Sequence, residues 1–356
     1  MAKRVAVVGA GVMGLWLSHN LLRRGYEVTL LEKDDGSFRN ACSHYAGGML
    51  APFVELESAE PVIALMGAAS MQLLPGWLET LAKKVWFQST GSLVVAHPRD
   101  QAELDRLALR VRTSPLPHDV RECNVRDIMD LEPDLEDRFR QGLFFPHEGQ
   151  INPRELLPAL LEFVKAKGAD VHFNTPVDEI QPGKVSCKGE VLQFDQVVDC
   201  RGLLGRDSFP QLRGVKGEMI LIQTDEVRLH RPVRMMHPRY PLYIVPRPNG
   251  VFMIGATSLE NESRHTTSVR SVLELLSAAY ALHPAFGEAT VLELNADARP
   301  ALPNHLPQVQ HTPGLLRING LYRHGILLSP ALAEAVGQFL DGSPTPDWTE
   351  EIWRPL

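Results

Sequence analysis

Residues 4–14 read RVAVVGAGVMG, and this stretch decides the fold. Its first five residues form a short, mainly apolar run, which is typical of a buried parallel strand. Beyond the glycines, apolar side chains recur at helical spacing up to Gly25, a residue type that often ends a helix. Residues 27–31 then form a second apolar run. The pattern predicts a complete β-α-β unit within about 30 residues.

Three glycines, Gly9, Gly11 and Gly14, have the spacing of a dinucleotide-binding turn. The first permits a tight turn, the second lets a pyrophosphate approach the backbone, and the third lets the helix lie close to the strand. The helix start offers free N–H groups to phosphates. Glu32 lies eighteen residues after Gly14, where its carboxylate can accept hydrogen bonds from a ribose and repel a 2′-phosphate. The fingerprint therefore disfavours NADP, but it does not separate NAD from FAD.

The rest of the chain alternates between two kinds of pattern. Residues 151–168 predict a helix capped by Asn152, and strands at 169–173 and 196–200 continue the first sheet. The turn at 248–250 separates two apolar runs and predicts a β-hairpin. We therefore expect an α/β fold: a Rossmann-like dinucleotide-binding domain with an inserted antiparallel-sheet α+β substrate domain. The expected boundaries are 1–85, 141–215 and 297–356 for the first domain and 86–140 and 216–296 for the second.

Composition excludes several functional classes. The 356 residues are 44% hydrophobic and 22% charged, as in a globular protein, and the net charge of −7 gives no general affinity for nucleic acid. The four cysteines are scattered, without metal-ligand spacing, so no metal site is predicted. The opening apolar run is too short for a signal peptide, and no segment approaches a membrane span. We expect a cytoplasmic protein with no membrane or nucleic-acid partner, and the sequence leaves a homo-oligomer open.

Four further stretches carry a family resemblance. Residues 43–52 read SHYAGGMLAP, 243–257 open with YIVPR and close with IGAT, 298–304 read ARPALPN, and 320–330 read GLYRHGILLSP. In this order they resemble the D-amino-acid oxidase superfamily, and most of all its glycine oxidases of thiamine biosynthesis. The chain departs from that pattern at His324, where asparagine is usual, at Asn304, and in the turn at 200–205.

The resemblance implies that the dinucleotide is FAD. On that basis the predicted cofactor-binding residues are Gly9, Gly11, Val12, Met13, Gly14, Glu32, Lys33, Ser43, His44, Ala46, Gly47, Gly48, Met49, Leu50, Val177, Cys200, Arg201, Gly202, Arg299, Arg323, His324, Gly325, Ile326 and Leu327.

The resemblance also assigns roles near the substrate. Arg299 matches the family's carboxylate clamp, and its planar guanidinium suits two carboxylate oxygens. Arg323 is a possible second contact, and Tyr243 a possible hydroxyl donor. Met49 is expected to pack near the reactive face of the flavin. His324 joins the candidates, although single histidines such as His324, His44 and His237 more often have structural roles.

The implied reaction is oxidation of the C–N bond of a small amine or amino acid, such as glycine or sarcosine. Hydride passes to the flavin, which supplies the difficult chemistry, and oxygen then reoxidises it to give hydrogen peroxide. Four alternatives stay open: a flavin dehydrogenase with another electron acceptor, an enzyme for a small aminophosphonate, an NAD-dependent dehydrogenase, and a nucleotide-binding sensor without activity.

Overall fold

Two large β-sheets organise the chain in the computed structural model, which describes residues 3–114, 116, 119–237 and 242–356. The strands are β1 (Arg4–Val8), β2 (Glu27–Leu31), β3 (Met49–Leu50), β4 (Phe87–Gln88), β5 (Ser92–Ala96), β6 (Arg121–Asn124), β7 (Gln141–Phe145), β8 (Gly149–Ile151), β9 (Asp170–His172), β10 (Glu179–Gln181), β11 (Lys184–Cys187), β12 (Glu190–Gln193), β13 (Gln196–Asp199), β14 (Arg213–Gln223), β15 (Val233–Met236), β16 (Leu242–Pro246), β17 (Val251–Gly255), β18 (Thr290–Ala301), β19 (Gln308–Thr312), β20 (Leu315–Asn319) and β21 (Trp353–Pro355). The α-helices are α1 (Val12–Arg23), α2 (Pro61–Leu78), α3 (Gln101–Thr113), α4 (Val125–Leu131), α5 (Pro153–Ala166), α6 (Val269–Leu282), α7 (Gly325–Asp341) and α8 (Thr349–Ile352).

The first sheet contains the opening of the chain. Its strand order is β21-β19-β20-β13-β1-β2-β9, and β1 runs parallel to both β2 and β13. Helices α5 and α7 pack against α1, which explains why Leu15, Trp16 and Leu17 of α1 are fully buried. The predicted β-α-β unit is confirmed, as are the two strands that were expected to continue this sheet.

The second sheet is mainly antiparallel. Its order is β18-β14-β17-β16-β15-β5-β7-β6, and among these strands only the β5–β15 pair is parallel. The predicted hairpin is confirmed as β16 and β17, with Asn249 and Gly250 at φ of 63° and 66° in its turn. Because positive φ disfavours most side chains, the Asn-Gly pair suits that turn. Together the two sheets confirm the Rossmann-like α/β fold class with a second, antiparallel sheet.

The division of the chain into domains stays a proposal. The two large sheets use separate strands, which is what a dinucleotide-binding domain with an inserted substrate domain requires. Strand β7 begins at the expected boundary, residue 141, yet it pairs with β5 and β6 of the second sheet. A division by sheet membership would therefore start the middle segment of the first domain after Phe145.

The sequence predicts no segment close to a membrane span, but helix α2 is an exception in length and composition. By length and composition it could cross a membrane, with 18 residues and a mean hydropathy of 1.3. Within the fold, however, 44% of the helix is buried, and it packs against α7. The buried side chains of α2, such as Val62 and Met66, therefore belong to the core of the fold.

Glu148 joins the second sheet to the segment that precedes α2. Its carboxyl is fully buried, and its Oε1 accepts hydrogen bonds from the N–H groups of Phe53 and Val54 at 2.8 and 2.9 Å. Its Oε2 lies 2.5 Å from the hydroxyl of Ser92 in β5. Burial raises the pKa of Glu148 from 4.5 to about 8, despite these hydrogen bonds.

We predict that Glu148 makes the protein less stable as the pH rises. Because the pKa of Glu148 is higher in the folded state, its contribution is complete below pH 4.5 and is lost as the pH approaches about 8. Glu148→Gln, which cannot ionise, should flatten this decline by up to about 1.4 kcal/mol per pH unit. Urea unfolding from pH 5 to 8 would measure it, with exposed Glu190→Gln as the control. An unchanged pH slope in Glu148→Gln would refute the assignment.

Candidate active site

A cavity of about 490 Å³ lies at the carboxyl ends of β1, β2 and β13. This is the position at which open parallel sheets bind dinucleotides. Twelve of the predicted cofactor-binding residues border it: Gly9, Gly11, Val12, Met13, Glu32, Lys33, Ser43, Val177, Cys200, Arg201, Gly202 and Gly325.

The three fingerprint glycines have distinct geometries. Gly9 has φ of +102°, and a Cβ there would lie 2.8 Å from the carbonyl oxygen of Cys200. A Cβ on Gly14 would lie 1.9 Å from the carbonyl oxygen of Gly9, so strand and helix could not approach as they do. At Gly11, by contrast, the nearest atom would be the Oγ of Ser43 at 3.8 Å. Gly11 therefore leaves space on its cavity side, where a ligand can approach the backbone.

The start of α1 suits an anion. The helix begins at Val12 beside the cavity, and its first turn contains no acidic residue. The first N–H groups of a helix have no carbonyl partner within that helix, and the helix dipole favours negative charge at this end. A pyrophosphate is therefore compatible with the residues present, which is the fit that FAD requires.

Glu32 and Arg201, two charged residues of this cavity, already have partners within the protein. Glu32 accepts hydrogen bonds from the N–H groups of Ala10 at 2.6 Å and Asp34 at 3.0 Å. A carboxylate has further lone pairs, so the ribose contact predicted for Glu32 stays possible. Arg201 forms ion pairs with Asp199 and Asp207, both at 2.9 Å. The charge of Arg201 is therefore compensated, and its side chain fixes the turn that follows β13.

A second, smaller cavity of about 90 Å³ adjoins the first. The two linings share five residues, which are Val12, Cys42, Ser43, Tyr322 and Gly325. The smaller cavity is also bordered by Tyr243, Arg299 and Arg323, the three residues expected near the substrate. The structure thus brings together side chains that lie as far as 80 residues apart in the sequence.

Arg299 is the cation of the small cavity that no carboxylate compensates. Its guanidinium lies over Gly217, where a Cβ would come within 1.9 Å of Nη2. Nη1 donates a hydrogen bond to the carbonyl oxygen of Thr257 at 3.2 Å. No carboxylate among the described residues lies within 4.0 Å of the Arg299 nitrogens. The guanidinium can therefore bind an anion.

Arg323 has a different environment. Its Nη2 lies 2.7 Å from Glu55 Oε2 and donates a hydrogen bond to the hydroxyl of Ser58 at 2.5 Å. Burial alone would raise the pKa of Glu55, but nearby positive charge, first of all that of Arg323, holds it at about 2. The charge of Arg323 is consequently matched by an ionised carboxylate. Its predicted role as a second substrate contact would have to compete with that ion pair.

Two uncharged groups complete the site. Tyr243 borders the small cavity, and burial raises the pKa of its hydroxyl, which therefore keeps its proton and can donate it in a hydrogen bond. His324 is 4% exposed, with its Nδ1 3.5 Å from Glu55. Burial lowers the pKa of His324 to about 4, so the ring is neutral at physiological pH.

Arg247 fixes the segment that carries Ala46 and Gly47, which border the small cavity. Its Nη2 donates to the carbonyl oxygen of Gly47 at 2.6 Å, and its Nη1 donates to that of Ile151 at 2.9 Å. Gly48 has φ of +68°, and a Cβ there would lie 1.9 Å from the Ile151 oxygen. The two consecutive glycines let the backbone pass this point closely.

Eight candidate residues lie outside the linings of the two cavities, which are defined by the residues that the structure describes. They are Gly14, His44, Gly48, Met49, Leu50, His237, His324 and Leu327. Gly14 and Gly48 shape the backbone, Leu50 is fully buried in the core, and Leu327 packs on Gly67. Sequence reasoning missed Arg247, Cys42, Tyr322 and the ion pair of Arg264 with Asp297. Tyr322 and Arg247 lie in stretches that carry the resemblance, but no local signal distinguishes Cys42 or the Arg264–Asp297 pair.

Known proteins match the chain over most of its length. The family of FAD-dependent oxidoreductases (DAO) matches residues 4–339. A putative thiamine biosynthesis oxidoreductase ThiO of Rhizobium etli is 43% identical over 337 residues, which are 95% of this chain and 96% of that protein. A bifunctional protein ThiO/ThiG of Trichormus variabilis is 26% identical, and the alignment covers 96% of this chain but only 53% of that protein.

A solved structure agrees with these matches. The crystal structure of glycine oxidase from Geobacillus kaustophilus superposes with a TM-score of 0.83 at 26% identity and covers 97% of this chain and 96% of that chain. Similarity in sequence and fold thus extends across both large sheets and both cavities. The chain belongs to the DAO family of FAD-dependent oxidoreductases and is related to ThiO and glycine oxidase.

Proposed function

We propose that this enzyme oxidises the C–N bond of a small amino acid, with glycine and sarcosine as the first candidates. The observation that carries the proposal is the uncompensated Arg299 beside Tyr243 in the small cavity. This cavity adjoins the large one, which we call the nucleotide cavity because its lining suits a pyrophosphate. An arginine can bind both oxygens of a carboxylate, and a buried carboxylate needs such a partner. The name of one relative, glycine oxidase, agrees with this substrate class, and the name of ThiO agrees with an oxidoreductase.

The protein's part in the reaction is mainly to position the substrate. FAD, when bound, accepts the hydride from the carbon that carries the amine. Arg299 would hold the substrate carboxylate, and the Tyr243 hydroxyl would donate a hydrogen bond to the same group. No base from the protein is required, provided that the amine arrives without its extra proton. The imine product then hydrolyses in water to a carbonyl compound and ammonia or methylamine.

Oxygen is the electron acceptor that we propose, with hydrogen peroxide as the second product. Among the residues that the structure describes, no feature selects oxygen over another acceptor, so a dehydrogenase on the same scaffold is the main alternative. We also propose a cytoplasmic location, because the amino-acid substrates and FAD are available there.

A small aminophosphonate is the second substrate class to consider, and the charges disfavour it. A phosphonate near pH 7 carries more negative charge than a carboxylate. Its binding would therefore need a second cationic side chain. Arg323 is the nearest candidate for that role, but Glu55 at 2.7 Å already compensates its charge. Release of Arg323 from this pair should therefore change the preference between the two acids.

The proposed function makes three predictions, of which the first concerns the cofactor and the electron acceptor. The purified protein should be yellow with one FAD per chain, and glycine or sarcosine should bleach the flavin absorption without oxygen. Air should then restore the absorption and produce hydrogen peroxide, both measurable by stopped-flow spectroscopy and a peroxidase assay. Bleaching that air does not reverse would favour the dehydrogenase, and no bleaching by any small amino acid would refute the proposed substrate class.

The second prediction concerns Arg299. Arg299→Ala should weaken binding of acidic substrates by about 2–5 kcal/mol, because it leaves the substrate carboxylate unpaired. FAD should stay bound, and Arg299→Lys should recover part of the loss, since lysine keeps the charge without the planar geometry. The matched control is Arg270→Ala on the exposed surface of α6. Parent-like KM values in Arg299→Ala would place the carboxylate site elsewhere, with Arg323 next to test.

The third prediction concerns Glu55. Glu55→Gln should leave the charge of Arg323 uncompensated and should raise kcat/KM for aminomethylphosphonate relative to glycine by about tenfold or more, which corresponds to about 1.4 kcal/mol. Glu57→Gln, one position from Ser58 and paired instead with Arg234, is the neighbouring control. An unchanged ratio between the two substrates would show that the Glu55–Arg323 pair does not determine the choice of acid.

A further inference from the structure

A second ion pair, Arg264 with Asp297, borders the same cavities. Asp297 lies two residues before Arg299 in β18, so both side chains project from the same face of the strand. Both residues border the small cavity, and Asp297 is only 4% exposed. A carboxylate in this position would by itself offset the positive charge of Arg299 and repel an acidic substrate.

Arg264 compensates Asp297 in a two-point contact. Its Nε lies 2.6 Å from Asp297 Oδ1, and its Nη2 lies 2.9 Å from Oδ2. Oδ1 also accepts a hydrogen bond from the N–H of Ala298 at 2.7 Å. This bidentate geometry is the strong form of an arginine–carboxylate pair. It keeps the Asp297 carboxylate directed at Arg264.

The position of Arg264 links the pair to both cavities. Arg264 borders the large cavity, and its Nη2 also donates a hydrogen bond to the carbonyl oxygen of Asn40 at 2.5 Å. Cys42, two residues further on, borders both cavities. The pKa of its thiol is raised to about 12, first by burial and then by Asp297. The field of Asp297 therefore reaches the wall that the two cavities share.

The charged groups around the small cavity are paired with one exception. Glu55 matches Arg323, and Arg264 matches Asp297, so Arg299 supplies the one uncompensated charge among these five residues. We propose that Arg264 is a specificity-determining positioning residue. Because Arg264 compensates the negative charge of Asp297, the small cavity keeps a single net positive charge, which suits a substrate with one carboxylate. This inference rests on the proposed function. It adds Arg264 as a residue that supports binding of the substrate carboxylate without touching the substrate.

The experiment measures acetate binding to the FAD-loaded protein through the change that acetate causes in the flavin absorption spectrum. Each variant is first checked for one flavin per chain. Arg264→Ala should weaken acetate binding about tenfold or more, because Asp297 then faces the bound anion uncompensated. Arg264→Lys should give an intermediate value. The double variant Arg264→Ala/Asp297→Asn, which removes both charges, should bind acetate within about threefold of the parent.

Two outcomes overturn the inference. One is parent-like acetate binding in Arg264→Ala. The other is a double variant as weak as Arg264→Ala alone, because the effect would then come from lost structure and not from the charge of Asp297. If Arg264→Ala does not fold, Asp297→Asn decides, since acetate should then bind at least as tightly as in the parent, and weaker binding contradicts the inference.

Failure of the proposed function would give a different result. In that case Arg299→Ala would bind acetate as the parent does, or the parent would not bind acetate at all. Weak binding in Arg299→Ala together with unchanged binding in Arg264→Ala removes only the role of Arg264.

Discussion

The close approach of α1 to β1 is the constraint on which the rest of the structure depends. The carbonyl oxygen of Gly9 lies where a side chain on Gly14 would begin, so only glycine lets the helix start at this point. That start directs the N-terminus of α1 at the nucleotide cavity, and it brings Val12 to the wall that both cavities share. The large and the small cavity therefore meet beside this tight turn.

Electrostatic compensation is the second organising feature. Three arginines and two carboxylates surround or border the small cavity, and four of these five groups are paired with each other. Buried charges are costly unless they are paired, so the exception, Arg299, is the residue at which an anionic ligand gains most. The neutral state of His324 and the protonated hydroxyl of Tyr243 leave this balance unchanged. Charge, more than shape, thus supports an amino acid with one carboxylate.

The sequence predicted those parts of the molecule that depend on local patterns. Neighbouring residues determine the Gly9–Gly14 turn and the Asn249–Gly250 hairpin. The same is true of the Asn152 cap, whose side chain accepts a hydrogen bond from the N–H of Arg154. The family resemblance added Arg299 and Tyr243. The Glu55–Arg323 and Arg264–Asp297 pairs join residues 268 and 33 positions apart, and no periodicity or motif links them. Arg247 was missed for the same reason, since its partners are backbone carbonyls of distant segments.

We expect Arg299 to be the one cation that binds the acid group of the substrate, with the Tyr243 hydroxyl as a neutral donor. The most direct measurement is a crystal structure of the FAD-loaded protein with acetate or glycine bound. We expect both carboxylate oxygens within hydrogen-bond distance of the Arg299 guanidinium, while Arg323 stays paired with Glu55 and Arg264 with Asp297. A carboxylate bound to Arg323 or Arg264 instead, with Arg299 making no contact, would contradict the account.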